Sequence, residues 1–192
     1  MKIRTILTAT TCSIFFSFAT TYAQTEGNLS LAAPYEVVAS HLQTIWIFSE
    51  EAKTSEQCAA TVFAAAKKIK DEGTTRGPFS VVLAIDPHLT GDIPNASFGL
   101  YMARASLETK KFVDGQWLPE ENWKVFATTQ PKTEQLVQLL KRIYAAAEEQ
   151  NLTDETDYVS FISKKDNISI ENAEQAVRKA INLGTPGKPF QF

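Results

Sequence analysis

The chain has 192 residues, 44% of them hydrophobic and 21% charged, with 19 basic against 22 acidic side chains. That length and apolar content suit one domain with its own core, and the mild acidic excess argues against a nucleic-acid partner, whose phosphates call for clustered Lys and Arg. Two cysteines and two histidines exclude a disulfide-stapled mini-domain and every standard Cys/His zinc spacing.

Residues 1–23 read as a secretory signal peptide. Lys2 and Arg4 give a positive start, and Ile6 to Ala19 is uncharged with Ile14, Phe15, Phe16 and Phe18 at its centre. Thr21-Tyr22-Ala23 then offers a cleavage site before Gln24. The run is short and rich in Thr for a bilayer span, which takes about 20 mostly apolar residues. Cleavage removes two cations and no acid, leaving 17 basic and 22 acidic residues, no transmembrane segment and Cys58 as the one cysteine. Cys12 lacks the leucine-led lipobox of a lipid anchor. The expectation is a periplasmic or secreted protein without a disulfide. Sequons at Asn28, Asn95, Asn151 and Asn167 would carry glycans only in a eukaryotic secretory pathway.

Residues 24–33 form a polar leader, expected to be flexible. From Pro34 to Phe48 a helix is favoured, because Tyr35, Val38, Leu42 and Ile45 follow helical spacing. The apolar run Ile45-Trp46-Ile47-Phe48 is also compatible with a buried strand. Thr54 and Gln57 make a capping box. Behind it Cys58, Val62, Ala65 and Ile69 form one helical stripe that ends at Lys67, Lys68, Lys70 and Gly73, where cations suit the helix dipole. Residues 79–85 predict a strand buried on both faces. Residues 97–113 predict one long strand or two, and 123–127 another. Asp114-Gly115 between them is a two-residue hairpin signal, with Phe112 and Trp117 facing across the turn. A helix is predicted from about Pro131 to Gln150, a short strand from Tyr158 to Ile162, and a last helix capped by Ser169 and stopped by Gly184 and Pro186.

The chemistry available is sparse. Cys58, in the first turn of its helix, could gain thiolate character there and pair with His88, with Asp86 or Asn95 orienting the imidazole. The same residue is fully explained as a small side chain on an apolar stripe. The loop holding Asp86, His88, Asp92 and Asn95 could converge on a cation or polar ligand, yet its spacing matches no EF-hand or zinc motif. Its Asp-Pro and Gly-Asp pairs are also ordinary turn residues. Trp117 and Trp123 flank the hairpin and could anchor a partner, or pack across strands into the core. No nucleophile elbow, phosphate loop or His-Glu-x-x-His sequence is present.

These elements predict an α+β domain over residues 34–186, with an extended tail at 187–192. Three or four helices pack on a mainly antiparallel sheet of three to five strands. The functional expectation is an exported interaction protein whose partner is another protein: an accessory subunit of an envelope complex, an inhibitor or an immunity-type partner. No cofactor or metal is implied. The alternative is a small secreted hydrolase using Cys58 or the Asp86/His88 loop.

Overall fold

The computed structural model describes residues 25–75, 77–88, 90 and 100–192, with Phe112 and Trp117 described in backbone only. Residues 1–23, read from the sequence as a signal peptide, lie outside the described residues. Strands β1 (Thr25–Glu26), β2 (Glu36–His41) and β3 (Thr44–Phe48) precede helix α1 (Ser55–Asp71). Strands β4 (Phe79–Ala84), β5 (Tyr101–Val113) and β6 (Gln116–Ala127) follow. Helices α2 (Glu134–Gln150), α3 (Glu155–Asp166) and α4 (Ile170–Leu183) then lead to β7 (Lys188–Gln191).

The strands form one seven-stranded sheet in the order β1-β7-β6-β5-β4-β3-β2. It is α+β as expected, but larger than three to five strands and mixed. β3 pairs with β4 in parallel, and so does β1 with β7. The parallel β3–β4 pair follows from topology: α1 connects the two strands, and a helical crossover returns the chain in the same direction.

Two elements differ from the sequence reading. The segment expected to be helical from Pro34 is a hairpin, β2–β3, turning at Leu42 with a left-handed φ of 52°. Its content of Val37, Val38, Thr44, Ile45 and Ile47 favours extended backbone, since branching at Cβ suits the pleated surface. Leu42, counted on a helical stripe, is instead 91% exposed at the tip. The expected strand at Tyr158 to Ile162 is the middle of α3. The Asp154 carboxylate caps that helix by accepting the Asp157 N–H at 3.0 Å. Tyr158, Val159 and Ile162 bury one helical face, a spacing that also fits a short apolar strand when read without the cap.

Other local readings agree with the structure. Thr54 and Gln57 form the reciprocal capping box, with the Gln57 Oε1 accepting the Thr54 N–H at 3.1 Å. Asp114 and Gly115 have φ of 48° and 82°, the two positive values a type I′ turn requires, and Phe112 stands opposite Trp117 in the register. Pro119, which has no N–H to give, sits in β6 where the register shifts between Glu108 and Lys110. Asn28, Asn151 and Asn167 serve as caps, the last two with left-handed φ. The leader departs from this agreement: read as flexible, it carries β1, paired in parallel with β7 of the tail read as extended.

The core lies on one face of the sheet. Ile45, Val81, Ala105, Val125 and Phe190 form a row across five strands, and all are buried in one apolar cluster shared with the four helices. Ala103 and Ala105 of β5 and Ala59, Ala65 and Ala66 of α1 belong to the same buried cluster, and small side chains of this kind suit the close packing of α1 on β5. α1 lies over β4, β5 and β6, while α4 packs against both α2 and α3. Trp46, Val82 and Ala84 form a small cluster on the other face with Val38, Ala39 and Tyr101. No helix among the described residues is long and apolar enough to cross a membrane.

Candidate functional site

The parallel strands β3 and β4 end side by side, and the chain leaves each in a tight turn. After β3, the Ser49 hydroxyl accepts the N–H groups of Glu51 and Ala52, each at 3.3 Å, turning the backbone toward α1. After β4, the Asp86 carboxylate accepts the His88 N–H at 3.0 Å. The Lys132 N–H donates to the Lys53 carbonyl at 3.2 Å, which brings the entry to α2 against the entry to α1. Between these segments lies a cleft of about 370 Å³ lined by Phe48, Glu50, Lys53, Ile85, Asp86, Lys132, Glu134, Val137 and Lys141. Crevices beyond the carboxyl ends of parallel strands are common ligand sites, because loops there can vary without disturbing the sheet.

Asp86 is 8% exposed and ion-paired with Lys141. Burial alone would raise its carboxyl pKa, but the Lys141 ammonium and the His88 amide hydrogen-bond the charged form and hold it below the ordinary aspartate range. Asp86 is therefore a fixed anion, suited to positioning Lys141 and poorly suited to taking a proton. Lys132 is different. It is half-buried, its Nζ lies 4.5 Å from the centre of the Phe48 ring, and it has no ion-pair partner among the described residues. Burial lowers its pKa from the ordinary lysine value, against the opposing pull of Cys58, Asp86, Glu134 and Glu50.

The other predicted site residues fall elsewhere. Cys58 is wholly buried on α1, its Sγ donating to the Ala52 carbonyl at 3.5 Å. Burial pushes its thiol up to about 12, the opposite of the thiolate that catalysis needs. His88 is exposed and meets Asp86 through its backbone, so no Cys58–His88 couple forms. Asp92 and Asn95 lie outside the described residues, as does the Trp117 side chain. Trp123 is half-buried, edge-on to Phe63 at 5.5 Å and to Phe79 at 5.9 Å. Phe192 stacks on Phe63 at 4.5 Å. Both rings make packing contacts, with Trp123 half-buried and Phe192 still 37% exposed.

The basic group at Lys67, Lys68 and Lys70 is accounted for locally. Lys67 lies over the Phe63 ring at 6.0 Å, Lys68 reaches Glu72 at 3.9 Å, and Lys70 pairs with Glu121. Among the described residues, no group of three or more His, Cys, Asp or Glu side chains is arranged to hold a metal ion.

The sequence reading missed Lys53, Lys132 and Lys141. Isolated lysines carry no motif, and the one available signal was Glu134, Val137 and Lys141 falling on one face of α2 beside the flagged Asp86. No curated protein and no solved structure matches this chain. A family model described as a domain of unknown function (DUF4875) matches residues 30–176, a span that includes every residue of the cleft. The chain belongs to that family.

Proposed function

We propose that the protein acts after export as an interaction module, engaging another protein through the cleft at the ends of β3 and β4. The partner class is a component of an envelope complex, or a target held by an inhibitor or immunity-type protein. Export rests on the signal-peptide pattern of residues 1–23. The observation that carries the binding reading is the charge arrangement in the cleft. Asp86 and Lys141 are committed to each other, while Lys132 is half-buried beside Phe48 without an ion-pair partner among the described residues, the carboxylates of Glu50, Asp86 and Glu134 acting on it only at longer range. Such a group is complementary to something brought by a partner. The hydrolase reading draws no comparable support, since Cys58 is enclosed and Asp86 is locked as an anion.

The test is affinity capture from envelope and culture fractions of the source cells, with wild type and Lys132→Glu compared side by side. A stoichiometric protein partner held by wild type and lost from the variant is the expected result. A clean bait, or a partner held equally by both, would remove the cleft as the docking place. Sequencing the N-terminus of the secreted chain checks export: Gln24 as first residue is expected, and an intact Met1 would contradict it.

A further inference from the structure

We propose that the Lys132 ammonium is the seat of an oxyanion, a single carboxylate or phosphate group carried by whatever occupies the cleft. This rests on the cleft being a binding site, and gives that site its chemistry. A lysine ammonium has three N–H donors and no acceptor. At Lys132 the Phe48 ring, 4.5 Å away, faces the cation with its π cloud but offers no oxygen for those donors. The neighbouring cation cannot be diverted to the same task, because Lys141 is engaged by Asp86. Lys53 lines the cleft as well, exposed at its rim, and adds a second positive group within reach of an entering anion.

Removing a cation partly from water without an acceptor is unfavourable, and a charge-assisted hydrogen bond from an oxyanion offsets that cost. The acids of the cleft set the limit on what fits. Glu50 and Glu134 are exposed and line the same space, so a ligand bearing several charges close together would be repelled. One oxyanion group near Phe48 engages the ammonium that lacks an ion-pair partner while meeting less repulsion from the acidic rim than a ligand with several charges would.

The experiment titrates sodium phosphate and, separately, sodium acetate into isotopically labelled protein. Amide shifts are followed by NMR, with sodium chloride matched for ionic strength. Saturable shifts at Phe48, Lys53 and Lys132 are expected, weakened at least tenfold in Lys132→Met and unchanged in Lys165→Met, a lysine on α3. Whichever salt saturates at the lower concentration identifies the oxyanion. Shifts reproduced by chloride, or retained in Lys132→Met, would overturn the proposal. A second readout avoids reliance on the variant: phosphate or acetate should protect Lys132 of wild type from amine acylation, read by mass spectrometry. Equal acylation with and without the anion counts against the site. Partner capture without oxyanion binding would refute this inference alone, whereas oxyanion binding without any protein partner would refute the interaction reading and leave this one standing.

Discussion

Asp86→Asn separates the charge of this residue from its shape. The carboxylate makes two contacts, an ion pair with Lys141 and acceptance of the His88 N–H at 3.0 Å. Asn keeps an oxygen for the His88 amide, so the loss falls on Lys141. A hydrogen bond to a charged group contributes about 1.5–3 kcal/mol. The Lys141 side chain is 37% exposed and Asp86 11%, so solvent screening places the pair at the lower end, about 1.5 kcal/mol. For a chain of this size that lowers Tm by roughly 3–6 °C.

The pH dependence carries the sharper test. The folded-state pKa of Asp86 is depressed below the ordinary 3.8. Its stabilisation is therefore complete above that value and disappears as pH falls through the folded-state value. Thermal melts of wild type and variant should differ at pH 7 and converge in strong acid. Equal Tm at pH 7 would show that the pair contributes nothing, and a gap undiminished in acid would show that it was never electrostatic.

Cys58, with its thiol raised to about 12 and no exposure, should resist thiol reagents in the native protein at pH 7 and label fully in denaturant; rapid native labelling would reopen the thiol-enzyme reading. Thr61 is wholly buried, accepting the Ala33 N–H at 2.9 Å and donating to the Gln57 carbonyl at 2.7 Å. Thr61→Val keeps the shape but strands the Ala33 amide, so urea unfolding should show a loss of about 2 kcal/mol with an unchanged m-value. His88→Ala should leave stability within about 0.5 kcal/mol, because the side chain is exposed and the contact with Asp86 is made by the backbone. A larger loss measured in the same denaturation series would mean that the imidazole itself does something structural.

How much of this was legible beforehand divides by the range of the signal. The box at Thr54 and Gln57, the cap at Ser169 and the turn at Asp114-Gly115 each act within a few residues, and each stands in the structure as read. The segment from Pro34 to Phe48 satisfied helical spacing and yet folded as two strands, because β3 gains a parallel neighbour in β4 that no local pattern announces. Tyr158 to Ile162 misled for the opposite reason: the cap at Asp154 was present, but a short, mostly apolar run of five residues, broken only by Ser160, reads equally as strand. In the cleft, Asp86 was visible as a polar residue ending a buried strand. Lys132 and Lys141 were not, since a lysine shows its role only through what surrounds it.

By itself the sequence determined the elements whose free energy is local: helix caps, a hairpin with two positive φ values and apolar stripes. The tertiary structure alone decided the sheet order, the parallel pairing of β3 with β4 and the meeting of Phe48, Asp86, Lys132 and Lys141. Those four come from segments scattered over more than 90 positions of the chain. What brings them together is burial of the shared core beneath them, a non-directional force that no short stretch of residues encodes.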